Sequence, residues 1–369
     1  MAQLSLSSLK ISYFRTHKLS IIEPENKPIV IFGVNGTGKT NILESISMFA
    51  PGQGFKRAKF SELARKPDLF GWKLTGEFNI LGNSYEIISS WDGTSGRKIT
   101  IDGKLATSSS LVRLVRILWV TPLMDRIWID GSAERRRFLD RIVSNLIPEH
   151  TEHCIKYYKA MKQRNKLIKE KIFDLSWFNV LESQMATFGV AIDKARKNVV
   201  ADIMAMQKNS ISAFPVADLN VIGLQHSSVE EFREALGKNR EKDIYAGRTL
   251  IGPHLSDLAA VYFSKGTDVK LCSTGEQKAL LISIIIATAK IQLEVYKAPP
   301  ILLFDEISAH LDSERRSILY DELYNLNLQV FLTGTDITSF KELKSRAKYY
   351  QVLLNTNESK CRLVNDPHF

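Results

Sequence analysis

A chain of 369 residues is long enough for more than one core, because single cores stop growing near roughly 250–300 residues. Fifty Lys and Arg against 40 Asp and Glu leave a formal charge of +10, which favours an anionic partner: nucleic acid is the commonest, and a membrane surface is the rival. No stretch approaches the roughly 20 apolar residues that span a bilayer, and the N-terminus lacks a basic-then-apolar signal segment, so a cytoplasmic protein is expected.

In chain order, Leu4 to Phe14 alternates and predicts an edge strand. Ile29-Val-Ile-Phe reads as a buried parallel strand. It runs into Gly33-Val34-Asn35-Gly36-Thr37-Gly38-Lys39-Thr40, after which Asn41 to Ile46 opens a helix. The alternative, a Gly-rich turn with a stray lysine, does not explain why every fixed position of G-x-x-x-x-G-K-[ST] is matched between a strand and a helix. Glycines at 33, 36 and 38 let successive N–H groups turn inward, making a nest of donors for polyphosphate at a positive helix end. Lys39 is placed to reach the β- and γ-phosphates of ATP, and the Thr40 hydroxyl to ligate Mg²⁺.

Leu74 to Phe78, Tyr85 to Trp91 and Lys98 to Ile101 follow as short strands separated by Gly-rich turns, predicting an antiparallel subdomain. The hydroxyl run Thr107 to Ser110 offers an N-cap for a short helix before the apolar strand Ile117-Leu-Trp-Val. From about residue 132 the period becomes helical. Leu181, Met185, Phe188, Ile192, Ala195, Val199, Ile203 and Met206 form one stripe; Ile155, Tyr158, Met161, Ile168 and Ile172 form a weaker one upstream. Two helices joined near Asp174 to Trp177 are expected to pack as an antiparallel arm. Its exposed face is assigned Lys156, Lys159, Lys162, Arg164, Lys166, Lys169 and Lys171 against the single acid Glu170, which suits either a solvated face or a nucleic-acid surface. His150, His153 and Cys154 are expected to lie on a solvated turn. Cys272 and Cys361 are remote from Cys154 and from each other, so neither a disulfide framework nor a zinc site is suggested.

After Gly252 the α/β character returns: strands at Leu258 to Phe263 and Asp268 to Leu271, a helix from Glu276 to Val295, and strands at Ile301 to Phe304, Gln329 to Thr333 and Tyr349 to Leu354. The expected organisation is one discontinuous α/β head (1–131 and 252–369) with a helical arm (132–251) inserted. Ile301 to Phe304 ends in Asp305-Glu306. Asp305 is placed to hold Mg²⁺ through water and Glu306 to polarise the attacking water, unless the two merely cap the next helix.

Ser273-Thr274-Gly275-Glu276-Gln277 resembles the signature segment of ABC-type ATPases. In that class a serine, a glycine and a helix N-terminus meet the γ-phosphate bound by another subunit. Ser308-Ala-His-Leu-Asp312 resembles the D-loop of the same class, and Asp312 is counted with the nucleotide contacts. Together these imply an ATP-dependent homodimer. Further blocks resemble the RecF family of bacterial DNA repair and recombination proteins, relatives of SMC and Rad50 heads: Phe14-Arg15, Gly33 to Ile46, Pro51-Gly-Gln-Gly-Phe-Lys-Arg-Ala, Glu134-Arg-Arg-Arg-Phe-Leu-Asp140, and Gly252-Pro-His-Leu-Ser-Asp257.

The resemblance implies an ABC-type ATPase head with a helical lobe. It also implies Arg15 among the nucleotide contacts, and an ATP-driven clamp on single-strand gaps or junctions of DNA that promotes recombinase loading and SOS induction with RecO- and RecR-like partners. Arg57 and Lys59 are a second candidate DNA patch. Thr274 stands where the common ABC pattern has its first Gly. Thr333-Gly-Thr-Asp336 lacks a switch histidine, which leaves Thr335, Asp336 or nothing as sensor, and Gln53 is a poor Q-loop glutamine; weak or absent sensing groups imply slow hydrolysis. The competing reading is an ATPase subunit of a membrane transporter, which the basic arm between Lys39 and Ser273 argues against.

Overall fold

The computed structural model describes residues 4–25, 27–68, 70–172, 174–209, 214–297, 299–307 and 311–365. Strand β1 (Ser5–Phe14) and β2 (His17–Ile22) form a hairpin. β3 (Ile29–Phe32) then feeds α1 (Lys39–Ser47), and the short α2 (Phe60–Leu63) follows. Next come β4 (Trp72–Ile80), β5 (Asn83–Trp91), β6 (Lys98–Ile101), β7 (Lys104–Leu105), α3 (Ser108–Leu114) and β8 (Ile117–Val120). The middle of the chain holds α4 (Ser132–Leu146), α5 (Glu149–Lys169), α6 (Leu175–Asn209), β9 (Ala217–Ile222), α7 (Val229–Lys238), α8 (Arg240–Ala246), β10 (Asp257–Tyr262) and β11 (Thr267–Asp268). The last segment holds α9 (Thr274–Tyr296), β12 (Ile301–Phe304), α10 (Ser313–Asn325), β13 (Val330–Gly334), β14 (Lys348–Asn355) and β15 (Glu358–Val364).

The chain divides into two compact units. The first contains residues 1–125, 211–214 and 273–369; the second contains 126–210 and 215–272. Two six-stranded sheets build the first unit. One is antiparallel in the order β2-β1-β4-β5-β6-β7, and the other runs β15-β14-β3-β13-β12-β8 with parallel pairing from β14 to β8. The parallel strands are uniformly apolar because both of their faces are covered: β3, β8 and β12 are buried at all four positions. β1 is therefore not an edge. β4 returns along its free side, pairing Leu9 with Gly76 and Ile11 with Leu74, and β1 does not share a sheet with β3. The predicted cap of the short helix is present, with Thr107 Oγ1 accepting from the Ser110 N–H at 3.2 Å.

The second unit is helical but carries its own three-stranded sheet, β11-β10-β9; strands at Leu258 to Phe263 and Asp268 to Leu271 are expected from the sequence, whereas β9 is not. β10 pairs with β9 along its whole length, so residues 252–272 pack with the helices and the first unit resumes at Ser273, not at 252. Of the expected strand Asp268 to Leu271 only Asp268 is extended, as the second residue of β11, since Val269–Leu271 turns into a 3-10 helix. The stripe on α6 buries as expected at Leu181, Met185, Ile192, Val199 and Ile203.

The stripe on α5 is borne out at Ile168, which is buried, and at Met161, which packs against the core, but not at its other positions, Ile172 included. Ile155 and Tyr158 are exposed, and the inward face is Tyr157, Ala160, Arg164, Leu167 and Ile168. Arg164 was assigned to the exposed basic face and is instead fully buried. It donates to Glu182 at 3.0 Å, Asp243 at 2.7 Å, Thr249 Oγ1 at 2.9 Å and the Leu236 carbonyl at 3.3 Å. Arg240 closes the network on Glu182 from a second side. His150 is likewise not on a solvated turn: it is fully buried in the first turn of α5, with Nε2 at 2.8 Å from Asp140.

Removing the Arg164 guanidinium would leave Asp243 buried without its charged partner and Glu182 with Arg240 alone. Arg164→Ala is therefore expected to cost about 3–5 kcal/mol of stability, read as a lower urea midpoint at unchanged slope. An unaltered midpoint would show that the network contributes nothing net.

Candidate nucleotide site

The loop from Gly33 to Thr40 is built by backbone geometry that only glycine adopts easily. Gly33, Gly36 and Gly38 all have positive φ, at 151°, 82° and 103°. A Cβ on Gly33 would stand 2.3 Å from the Val352 carbonyl oxygen of β14, so this position excludes a side chain by contact as well as by torsion. Gly38 is the left-handed residue from which α1 starts, leaving the first amides of that helix without intrahelical partners. Thr37 braces the loop from within by donating to the Val34 carbonyl at 2.9 Å, and Asn35 lies on its exposed outer turn. Lys39 folds back, donating to the Gly33 and Val34 carbonyls at 2.6 and 2.9 Å. Burial lowers its pKa, opposed by the charges of Glu306 and Asp305, which places both acids in the field of the ammonium group.

Strand β12 delivers those acids to the same place. Asp305 Oδ1 accepts from Thr40 Oγ1 at 2.9 Å and from Thr333 Oγ1 at 2.7 Å, and the Glu306 N–H donates to Thr333 Oγ1 at 2.8 Å. Asp305 is buried, and desolvation raises its pKa against these hydrogen bonds. A buried carboxylate beside a hydroxyl is an oxygen donor set that fits a hard divalent cation such as Mg²⁺. Glu306 is a non-glycine residue with φ of 51°. Its carbonyl accepts from Lys278 Nζ at 3.3 Å, and the same ammonium lies 3.6 Å from Asp125. Asp305 and Glu306 therefore do not cap a helix; they end a strand that faces the phosphate loop.

The remaining nucleotide candidates fall in three groups. Ser273 and Thr274 are exposed at the start of the 23-residue α9, where Ser273 and Glu276 form a reciprocal capping box. Gly275 is half-buried and Gln277 is buried in the same turn. Asp312 caps α10 by accepting the Arg315 N–H at 2.8 Å, while Ser308, Ala309 and His310 of the D-loop lie outside the described residues. Arg15 grips the buried Glu44 carboxylate with two hydrogen bonds of 2.9 and 2.8 Å and the Glu62 carbonyl with a third, which braces α1 and leaves two of its five N–H donors for other partners. Asp336 caps a 3-10 turn through the Thr338 N–H, Thr335 is exposed, and Gln53 lies on an exposed bend.

Of the basic candidates, Lys159, Lys162, Lys169 and Lys171 are exposed. Lys156 and Lys166 are exposed but paired with Glu152 and Glu170 one helical turn away. Arg57 and Lys59 are exposed in the first unit. Within the second unit, Glu134 to Asp140 and Gly252 to Asp257 come together. Arg135 grips Asp257 at 2.7 and 2.9 Å, Arg136 donates to the Ser256 carbonyl, and Arg196 joins Asp140 to the Pro253 carbonyl. These two blocks are an internal clasp.

Sequence reasoning missed Thr333, Lys278 and Asp125 as parts of the site. Thr333 was readable only as part of a segment lacking histidine, although a hydroxyl at the end of a strand beside an acid-ended one is a usable signal.

If Lys39 neutralises ground-state phosphates and Glu306 acts on the water of the chemical step, their substitutions separate binding from turnover. Lys39→Ala is expected to lose at least tenfold in ATP affinity by fluorescent-nucleotide titration, and Glu306→Gln to bind ATP normally yet turn over at under about one tenth of the normal rate. Normal turnover by Glu306→Gln would remove it from the chemistry.

The chain matches the family described as RecF/RecN/SMC N terminal domain over residues 5–358. It is 40% identical over 366 residues to the DNA replication and repair protein RecF of Mesorhizobium japonicum, covering 95% of this chain and 97% of that one. To the RecF of Rhizobium etli it is 37% identical over 364 residues, with the same coverage. Among solved structures, the recombination mediator protein described as RecF-ATP in the RecFOR pathway superposes with a TM-score of 0.83 at 20% identity, over 99% of this chain and 100% of that one. The Smc head domain of Pyrococcus furiosus with an extended coiled coil gives 0.58 at 17% identity, over 98% and 96%. The structural likenesses establish an SMC-type ATPase head fold, and the sequence likeness along nearly the whole length places the chain in the RecF family.

Proposed function

We propose that the protein is an ATP-dependent DNA-binding clamp of replication and recombinational repair, acting at single-strand gaps or junctions. The observation that carries this reading is the meeting of Thr40 and Asp305 at 2.9 Å, which joins a phosphate loop to an acid-ended strand in a chain of the RecF family. Relatives named for DNA replication and repair, and a RecF-ATP structure of the RecFOR pathway, support DNA and RecO- and RecR-like proteins as partners and ATP with Mg²⁺ as cofactor. The same pathway supports a role in recombinase loading and SOS induction. Those relatives give no support to the transporter subunit, and no helix among the described residues is long and apolar enough to cross a membrane. A loop without a switch histidine supports slow hydrolysis.

The exposed Ser273 turn has use for a γ-phosphate only if a second head presents one, so ATP, more than ADP, is expected to drive homodimer formation. Ser273→Arg should bind ATP with near-normal affinity, lose a cap worth about 1 kcal/mol, and sediment as a monomer with ATP. A dimer of that variant would overturn the sandwich.

Lys159, Lys162 and Lys169 lie on one face of α5 with no ion-pair partner among the described residues. Reversing all three to Glu should weaken binding to every DNA sequence and flatten the slope of log K against log salt by roughly three units, at about 0.9 per phosphate contact, with ATP binding unchanged. An unaltered slope would make this a solvated face and move attention to Arg57 and Lys59.

A further inference from the structure

Behind the phosphate loop, on the side away from its amide nest, stand three side chains from distant parts of the first unit. A Cβ built on Gly38 would meet Ser359 Oγ at 2.5 Å, Thr16 Oγ1 at 2.7 Å and His17 Nε2 at 2.9 Å. Ser359 belongs to β15, while Thr16 and His17 belong to the turn and first residue of the β1–β2 hairpin. His17 and Ser359 are fully buried.

Their hydrogen bonds have one consistent direction. Ser359 Oγ lies 2.6 Å from the Thr37 carbonyl oxygen and 2.5 Å from Thr16 Oγ1, but a hydroxyl has one proton. The carbonyl can only accept, so Ser359 donates to it and Thr16 donates to Ser359. Thr16 Oγ1 in turn accepts from Asn41 Nδ2 at 3.0 Å. In the same way His17 Nε2 sits 3.1 Å from the Gly38 carbonyl and must carry its proton there, leaving Nδ1 to accept from Ser20 Oγ at 2.8 Å. Burial lowers the His17 pKa and keeps this single tautomer.

We infer that Ser359 and His17 are positioning residues of the nucleotide site: Ser359 fixes the peptide plane between Thr37 and Gly38, and His17 adds a side-chain donor to the Gly38 carbonyl, which also accepts the Asn41 and Ile42 amides of α1 at 3.0 and 3.3 Å. In a trans peptide the C=O and the following N–H point in opposite directions. Holding the Thr37 carbonyl backward therefore aims the Gly38 N–H forward, and holding the Gly38 carbonyl backward aims the Lys39 N–H forward. Two donors of the nest are thus preset, one from the β1–β2 hairpin 21 residues away in sequence and one from the β14–β15 hairpin 322 residues away. The Val352 carbonyl, which closes on Gly33, makes β14 of the same hairpin a backing for the other end of the loop. The inference rests on the nucleotide reading of the site.

Fluorescent-nucleotide titration of the full chain tests it, with thermal melting of the nucleotide-free protein alongside. Ser359→Ala should weaken both ATP and ADP by about three- to tenfold, the effect of one hydrogen bond, with little change in the nucleotide-free melting temperature. His17→Ala should do the same. His17→Gln, whose amide nitrogen falls near the Nε2 position, should recover affinity to within about twofold of wild type. Unchanged affinity in Ser359→Ala, an equal loss in His17→Gln and His17→Ala, or losses matched by falls in melting temperature would each overturn the positioning role. Failure of the wild-type protein to bind ATP would instead overturn the nucleotide reading, and this inference with it.

Discussion

Asp305 Oδ1 accepts two hydroxyl hydrogen bonds, and those two bonds tie together the three strands on which the nucleotide site depends. Thr40 follows β3, Thr333 lies in β13 and Asp305 follows β12, and the sheet order β3-β13-β12 puts Thr333 physically between the other two. In a parallel sheet all carboxyl ends lie on one edge, so a loop after the first strand and an acid after the third are delivered to the same rim. Pairing of Thr333 with Ile31 fixes how far β13 reaches, and pairing of Leu302 with Val330 fixes β12 against it. The site geometry is therefore a property of strand register before it is a property of any catalytic side chain.

In the second unit, arginine does for helices what register does for the sheet. Arg135, Arg164 and Arg196 each bind a carboxylate and at least one backbone carbonyl, and each joins segments far apart in the chain. The planar guanidinium suits this because several donors radiate from one rigid group. A hydrophobic contact could supply similar burial but not the same fixed angle between helices. Two of the blocks that resemble the RecF family, Glu134 to Asp140 and Gly252 to Asp257, lie here and hold this architecture together.

Backbone-dictated features were the legible ones. Gly33, Gly36 and Gly38 announce their torsions, four-residue apolar runs announce covered strands, and Thr107 announces a helix start. What sequence hides is the identity of a remote partner. Arg164 looks like its exposed lysine neighbours because Glu182, Asp243 and Thr249 lie 18, 79 and 85 residues away. β9 hides for a related reason: it is a six-residue strand whose partner comes only after two helices, with its pairing to β10 carrying the evidence. Ser359 could not be read at all, since a serine in a hairpin gives no sign that it faces the phosphate loop.

The shortness of β12 sets where the chain tolerates change in length. All four of its residues are buried, and it is hydrogen-bonded on both sides, to β8 and to β13. Side chains alternate along a strand, so one residue inserted or deleted between Pro300 and Asp305 would carry the carboxylate to the opposite face of the sheet, away from Thr40. The turn from Asp92 to Gly96, whose hydrogen bonds are local and exposed, imposes no such phase. Peptide tags and fluorophore-bearing inserts therefore belong in turns of that kind, while the spacing between β12 and its flanking strands admits no slack.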